Sequence, residues 1–191
     1  MCVKRNKPMT YTIKKGSHDS TNPLMYGFHS GIDKLKGTIK FHSNCKYDLT
    51  NEPICVNDTN KAVGFGYGIL PYSHHKWSIR LGWRCNPSGK LILVNYSYVD
   101  GKKVEKRIGL ASTFQWDTEY EFEIINDQIN KLATVRVGTE VMSIPFFYNE
   151  RDKDGNYIPT AKKPVSGYYL HPYFGGDCSA PHDMNIIINL L

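Results

Sequence analysis

The sequence lacks almost every sign of helical structure. No stretch of about twelve residues places apolar side chains at the i, i+3, i+4 and i+7 positions of an amphipathic helix. The longest apolar runs, Leu91 to Val94 and Ile186 to Ile188, are far too short to cross a membrane. Strands do not alternate with helices as they do in a parallel βαβ fold. We therefore expect no membrane contact and no parallel α/β architecture.

Signals for export and for a disulfide framework are also missing. The basic N-terminus, Met1 to Arg5, is not followed by an apolar segment, so no signal peptide is predicted. The chain has an odd number of cysteines and none of them forms a CxxC pair: Cys2, Cys45, Cys55, Cys85 and Cys178. We expect reduced thiols in a protein made inside the cell, with a pair between Cys45 and Cys55 left open.

The composition is that of one globular domain. The chain has 191 residues, of which 40% are hydrophobic and 13% aromatic, enough to form a sizeable core. Lys and Arg outnumber Asp and Glu by 24 to 18, giving a net charge of +6 that favours anionic neighbours in general. The arginines do not cluster and no nucleic-acid-binding motif is present, so nucleic acid is not an expected partner.

Strand signals are dense. Several segments alternate between two faces, and they are Thr10 to Lys14, Leu35 to Phe41, Trp77 to Arg84, Leu91 to Tyr98, Glu119 to Ile125 and Ala133 to Val137. Asp100-Gly101 is typical of a tight hairpin turn between two such strands, because glycine tolerates the positive φ of a primed turn. We predict ten to twelve strands and an all-β fold, an antiparallel two-sheet β-sandwich of the jelly-roll kind. Residues 1–191 form this single domain, with a possible N-terminal arm at 1–9.

The segment before the last strand is the richest in polar side chains. A metal site there would use His171, Asp177, His182 and Asp183, whose types suit a metal but whose spacing matches no recognised motif. We favour a closing hairpin whose aspartates cap a turn. No cofactor is expected, although a structural calcium ion bound through Asp177 or Asp183 stays open.

Two further groups of residues are candidates for ligand contact. His74 and His75 stand at a loop mouth just before the Trp77 strand, on which Arg80 also lies, and a His pair can bind a metal or act as a general base. Aromatic rings can stack on the flat faces of sugars. The candidate rings for such a platform are Tyr67, Trp77, Trp83 and Tyr173. The alternating glycines around Tyr67 more often mark close backbone approach.

Catalytic arrangements are harder to find in the sequence. Glu119, Glu121 and Glu123 share one face of a strand and look solvated, so they do not make the carboxylate pair of a glycoside hydrolase. A polysaccharide lyase in a jelly-roll groove would use Tyr and His with Arg or Lys. Tyr96, Tyr98, His171 and Arg80 supply those types, but nothing in the sequence joins them.

Four segments of the chain carry a resemblance. His74 to Arg84, together with Tyr173 to Gly176 and Ala180 to Asp183, resembles small β-sandwich proteins of Bacteroidetes bacteria and their phages. The opening Thr10 to Gly16 is similar to that group as well. The resemblance implies a jelly-roll-like domain in a phage or gut-bacterial context, and it implies no catalytic residues.

Without a convergent catalytic set, we expect a non-enzymatic structural or interaction protein. The favoured role is a phage virion component, either a capsid decoration or a tail or head accessory, made in the host cytoplasm. Its partners would be other virion proteins or a second copy of itself. Two alternatives stay open: a carbohydrate-binding module that contacts glycans, and a jelly-roll polysaccharide lyase or glycoside hydrolase. In these cases the protein would be bacterial, either cytoplasmic or exported.

Overall fold

The protein is an antiparallel β-sandwich. The computed structural model describes residues 7–21, 28–52, 54–55, 58–68, 74–110, 113–147, 150–158 and 166–191. Its strands are β1 (Met9–Ile13), β2 (Phe28–Ser30), β3 (Lys34–Phe41), β4 (Asn60–Tyr67), β5 (Trp77–Cys85), β6 (Leu91–Val99), β7 (Lys102–Ile108), β8 (Glu119–Asp127), β9 (Leu132–Val137), β10 (Glu140–Pro145), β11 (Glu150–Arg151), β12 (Tyr157–Ile158), β13 (Ser166–Leu170) and β14 (Met184–Leu190). A 3₁₀ turn lies at Ser43–Cys45, and the described ranges contain no α-helix.

Two six-stranded sheets face each other. The first sheet has the strand order β1-β14-β3-β8-β9-β10, and the second has the order β2-β13-β4-β5-β6-β7. Strands β11 and β12 form a separate hairpin. The prediction of an all-β, jelly-roll-like sandwich is therefore confirmed. No helix among the described residues is long and apolar enough to cross a membrane.

Alternation along the strands builds the core. In the first sheet Ile39 and Phe41 of β3 point inward and are fully buried. In the second sheet Trp83 and Leu81 of β5 meet them from the other side, and the Phe41 and Trp83 ring centroids are 5.5 Å apart. Each such large apolar side chain contributes about 1.5–3 kcal/mol on burial.

The outer face of the first sheet carries charge in register. Lys36 lies opposite Glu123, and Lys40 lies opposite Glu119, across the β3–β8 pair. Lys34 also forms an ion pair with Glu123. Opposite charges placed directly across antiparallel strands stabilise the pairing. These glutamates therefore form a solvated face, as the alternation predicted.

The turn at Asp100-Gly101 also follows its prediction. Asp100 has φ 49° and Gly101 has φ 77°, the two positive values that a type I′ hairpin turn requires. The turn joins β6 to β7, which forms one edge of the second sheet.

The cysteine prediction is wrong. Cys55 forms a disulfide with Cys178 across 123 residues of sequence, while Cys45 and Cys85 are buried free thiols. Because the partners lie so far apart in the chain, spacing alone could not pair them.

The N-terminal arm predicted at 1–9 lies mainly outside the described residues, which begin at Lys7. Met9 already pairs with Ile188 as the first residue of β1.

Candidate functional site

A groove of about 620 Å³ lies on the outer face of the second sheet. The strand register builds its floor from two adjacent rows of residues. Leu170, Arg80 and Tyr96 line the groove from one row, which also contains Gly64 and Glu105. Ser78, Tyr98 and Lys103 line it from the next row, which also contains Tyr168 and Gly66. Beyond the floor, the groove is lined by Asp19, Asp58, Thr59, Lys61, His74, His75, His171, Tyr173, Gly175, Gly176 and Asp177.

Two glycines of β4 make room for this floor. A Cβ atom on Gly64 would lie 2.2 Å from the Ile79 carbonyl oxygen and 2.8 Å from Cγ of Arg80. A Cβ atom on Gly66 would lie 2.8 Å from Cβ of His74. The glycines therefore let the Arg80 and His74 side chains pack directly against the backbone of β4, the close approach that glycine in a strand often marks.

Arg80 occupies the centre of the floor. Its side chain is buried, and its Nη2 atom donates a 2.7 Å hydrogen bond to the carbonyl oxygen of His171. That contact joins β5 to the segment that follows β13. A buried guanidinium in an open groove places a permanent positive charge where an anionic ligand can reach it.

Lys61 extends over the aromatic side of the groove. Its Nζ atom lies 5.1 Å from the centroid of the Tyr96 ring and 5.4 Å from that of Tyr173, and it donates a 2.6 Å hydrogen bond to the Gly175 carbonyl oxygen. Burial, followed by the charge of Arg80, lowers the pKa of Lys61 from 10.5 to about 8. A measurable fraction of this amine is therefore neutral near pH 7.

Tyr96 and Tyr98 project from one face of β6 with their ring centroids 5.8 Å apart. Tyr96 is 5% exposed. Burial, and then the hydrogen bond with Tyr98, raises the pKa of Tyr96 far above its ordinary value. Tyr96 thus keeps its proton throughout the neutral range.

Two of the three imidazoles that line the groove, those of His75 and His171, have pKa values that favour the neutral form. Burial, with a contribution from the charge of Arg80, lowers the pKa of His75 and of His171. His171 Nδ1 lies 3.0 Å from the Pro172 carbonyl oxygen, a contact that requires the proton on Nδ1 and leaves Nε2 as an acceptor.

Ser78 provides one more polar group on the floor. It is fully buried, and among the residues the structure describes its Oγ atom has no hydrogen-bond partner. Buried hydroxyls are normally satisfied. Its position beside Tyr98 in the groove therefore suits a ligand that brings an acceptor.

The aromatic-platform prediction is wrong for three of its four rings. Tyr67, Trp77 and Trp83 are 1%, 4% and 0% exposed and belong to the hydrophobic core, so no sugar can stack on them. Alternation places Trp77 and Trp83 on one face of β5 and Arg80 on the other. The face that carries Arg80 is the one that forms the groove. Tyr173 does line the groove and stacks on His18, with ring centroids 5.4 Å apart.

The loop-mouth residues His74, His75 and Arg80 all line the groove. The four proposed metal ligands are not brought together. His171 and Asp177 line the groove, whereas Asp183 pairs with Lys14 at 2.7 Å and His182 Nε2 contacts the Asn44 carbonyl oxygen. Across the described ranges, no three His, Cys, Asp or Glu side chains are arranged to hold a metal ion.

Sequence reasoning missed Lys61 and Lys103 as groove residues. Lys61 lies at a register irregularity between β4 and β5, where simple alternation does not say which face a side chain takes. The available signal was a lysine inside an otherwise buried strand. In contrast, Arg80, Tyr96, Tyr98 and His171, named as the residue types of a lyase, do meet in one groove.

No protein-family model matches the chain, and no curated protein matches it. Solved structures of similar fold do exist. Alginate lyase Aly36B matches with a TM-score of 0.63 and 16% identity, over 96% of this chain and 79% of that one. A doubly substituted form of Aly36B in complex with an alginate tetrasaccharide matches with a TM-score of 0.57 and 14% identity, over 96% of this chain and 79% of that one.

Alginate lyase vAL-1 from Chlorella virus matches with a TM-score of 0.52 and 17% identity, over 100% of this chain and 86% of that one. At such identities the likeness shows the fold alone. These alginate lyases are enzymes, which contradicts the expectation of a non-enzymatic protein. Neither the expected virion role nor the link to Bacteroidetes and phages gains support from these matches.

Proposed function

We propose that the protein is a polysaccharide lyase that cleaves a uronate-containing anionic polysaccharide by β-elimination in the groove. The observation that carries this proposal is the meeting of a half-buried amine, a protonated phenol and a buried guanidinium: Lys61, Tyr96 and Arg80. Each of the three groups matches one requirement of the reaction.

β-Elimination removes the proton on the carbon next to the sugar carboxylate and breaks the glycosidic bond at the neighbouring carbon. A base must take the carbon-bound proton. An acid must give a proton to the departing glycosidic oxygen, and a cation must stabilise the negative charge that develops on the carboxylate. The electron pair of the broken carbon–hydrogen bond becomes the new double bond.

Lys61 is the base in this scheme. Its pKa of about 8 leaves roughly a tenth of the amine neutral, and so able to accept a proton, at pH 7. At pH 7 a surface lysine with the ordinary pKa of 10.5 would have a neutral fraction several hundred times smaller. The Aly36B form bound to a tetrasaccharide carries alanine in place of a lysine and of a tyrosine, which accords with this assignment.

Tyr96 is the acid. The raised pKa keeps its phenol protonated at the pH where Lys61 is already partly neutral, which separates the two groups into an acid and a base. The Lys61 amine lies over the Tyr96 ring, so the two groups can reach adjacent carbons of one sugar.

Arg80 binds the carboxylate, and Ser78 donates a hydrogen bond to it. Arg80 and Ser78 lie on the same face of β5, two residues apart, with Lys103 farther along the Ser78 row. A guanidinium with a hydroxyl beside it fits the planar oxygens of a carboxylate. From the positive charge of the floor we expect a preference for anionic over neutral polysaccharides.

The glycoside hydrolase alternative has less support. Three carboxylates line the groove, but Asp58 Oδ2 already accepts hydrogen bonds from the Gly176 and Asp177 amides, at 3.0 Å each. Binding without cleavage, as in a carbohydrate-binding module, would require neither the lowered pKa of Lys61 nor the raised pKa of Tyr96.

The test is a cleavage assay on alginate and on other uronate polysaccharides, with a neutral glucan for comparison. Product is followed by the ultraviolet absorbance of the new double bond conjugated to the carboxylate. We expect cleavage of at least one uronate polymer and none of the glucan. Loss of about 10³-fold or more in kcat is expected for Lys61→Met and for Tyr96→Phe.

Two matched variants on the first sheet control for the substitutions. Lys36→Met removes an exposed lysine of β3, and Tyr120→Phe removes a phenol of β8 whose oxygen accepts a hydrogen bond from the Gln115 amide. Both are expected to keep wild-type activity. Retained activity in Lys61→Met or Tyr96→Phe would exclude the assigned roles, and binding of the polymer without any product would favour the carbohydrate-binding alternative.

A further inference from the structure

The turn at residues 175–177 forms the wall of the groove beside Lys61. We propose that the Cys55–Cys178 disulfide and Asn60 hold this turn against Lys61 and shield the amine from water, which makes them positioning residues for the reaction. The inference rests on the proposed function, since it concerns the group assigned there as the base. It adds three residues that contact neither the substrate nor the reacting atoms.

Asn60 connects the turn to the start of β4. Its Oδ1 atom accepts a 2.6 Å hydrogen bond from the Gly175 amide, and its Nδ2 atom donates a 2.9 Å bond to the Tyr47 hydroxyl. Asn60 is 1% exposed, so its orientation is fixed by these two partners. The carbonyl group of the same Gly175 accepts the hydrogen bond from Lys61. Asn60 therefore sets the position of the atom that binds the amine.

The disulfide closes the same turn from its other end. Cys178 follows directly after Asp177, and Cys55 lies three residues before Asp58, which binds the amides of Gly176 and Asp177. Those two hydrogen bonds are exposed to solvent, and exposed hydrogen bonds open readily. The covalent link keeps the turn in place when they do.

The shielding of Lys61 depends on every element around it. Arg80 on β5 and Lys103 on β7 lower the pKa of Lys61 by their charge, while Asp58 and Glu105 raise it. Rings stand on two sides of the amine, from Tyr96 on β6 and from Tyr173 just before the turn.

The largest cause of the lowered pKa is burial, to which the turn contributes through Gly175. Moving the turn away admits water, while Arg80 and Lys103 stay in place on their strands. The pKa of Lys61 should then rise towards its ordinary 10.5.

The test compares the wild type with the double variant Cys55→Ser/Cys178→Ser and with Asn60→Ala. The titration midpoint of the Lys61 amine is measured by NMR on lysine-labelled protein, with its signal assigned by its absence from Lys61→Met. We expect a rise of one unit or more from about 8 in both variants. Each unit lowers the neutral fraction at pH 7, and with it kcat/KM, about tenfold. The rising limb of the pH profile should move by the same amount.

Wild-type protein treated with a thiol reductant provides the same comparison without a substitution, in case the double variant does not fold. Cys85→Ser, which replaces a buried free thiol away from the turn, is the control and should leave the midpoint unchanged. A disulfide that only stabilises the fold would lower kcat at every pH and leave the midpoint near 8, and that result would overturn the inference. The NMR midpoint needs no turnover, so failure of the proposed lyase activity is recognised separately by the absence of product from the wild type.

Discussion

The Nζ atom of Lys61 lies 5.1 Å from the centroid of the Tyr96 ring. The two side chains come from neighbouring parts of one sheet face, and burial acts on them in opposite directions. It lowers the pKa of the amine and raises that of the phenol. As a result the amine can accept a proton at a pH where the phenol still holds one, which is the condition for acid and base to work together.

The first prediction concerns the pH dependence of cleavage. Because Lys61 must be neutral to act as the base, kcat/KM should rise with pH and level off above about 8. No falling limb from Tyr96 is expected below pH 10, since its pKa is raised above the ordinary value. If His75 or His171 were the base, the rising limb would lie below 6.5, because the pKa of each is lowered. Initial rates across the pH range decide between these assignments.

The second prediction concerns stability. Lys61 has a lower pKa in the folded state than in the unfolded chain, so the folded state resists protonation of this group. Its burial therefore costs stability below pH 8, and the cost disappears as the pH rises towards 10.5. Lys61→Met should raise the free energy of unfolding at pH 7 by roughly 1–3 kcal/mol. Urea unfolding at pH 7 and at pH 9.5 measures this gain, which should shrink at the higher pH. A gain that grows with pH would contradict the burial of a charged amine.

The third prediction concerns Gly64, the glycine of β4 that packs against Arg80. Gly64→Ala would bring a Cβ atom against the Ile79 carbonyl oxygen and Arg80, so we expect a loss of about 1–3 kcal/mol or more in the free energy of unfolding. Gly89→Ala is the control, since Gly89 has φ 75° and nothing within 4 Å of a new Cβ. Its cost should be about 1 kcal/mol, from backbone conformation alone. Equal losses in the two variants would show that β4 and β5 do not approach as closely as described.

The fourth prediction concerns the shape of the cation on the floor. Arg80→Lys keeps the charge but loses the planar fork and the hydrogen bond from Nη2 to the His171 carbonyl oxygen. We expect kcat/KM on a uronate polymer to fall about 10²–10³-fold. Lys106→Arg is the control, because it replaces an exposed lysine of β7 with arginine. It should leave kcat/KM within twofold of the wild type. A fully active Arg80→Lys variant would mean that only charge is required at this position.

Much of the fold was available from the sequence because strand alternation is a local property. The two faces of β5 were separated correctly, with Trp77 and Trp83 on one and Ser78 and Arg80 on the other. Alternation does not say which face meets the second sheet, so it cannot distinguish tryptophans of the core from an exposed sugar platform. The answer depends on the strands that pack against β5, which come from distant parts of the chain.

The candidate site is harder to predict from the sequence than the fold, because only strand register brings its residues together. Arg80 and Tyr96 are direct cross-strand neighbours, whereas His171 reaches Arg80 from a segment that begins after β13, about ninety residues later. The sequence contained the right residue types for a lyase but no spacing that brought them together. The Cys55–Cys178 pair was missed for the same reason, as its two ends meet only when the turn at 175–177 folds back onto β4.

The chemical structure of the products distinguishes β-elimination from hydrolysis directly. The wild-type protein digests alginate and the other uronate polymers in water enriched in oxygen-18, and the masses of the oligosaccharides are measured by mass spectrometry. β-Elimination consumes no water, so we expect fragments that have lost the elements of water at the new non-reducing end and contain no oxygen-18 from the cleavage. Fragments that have gained a water molecule and contain oxygen-18 would show hydrolysis and would contradict the proposed β-elimination.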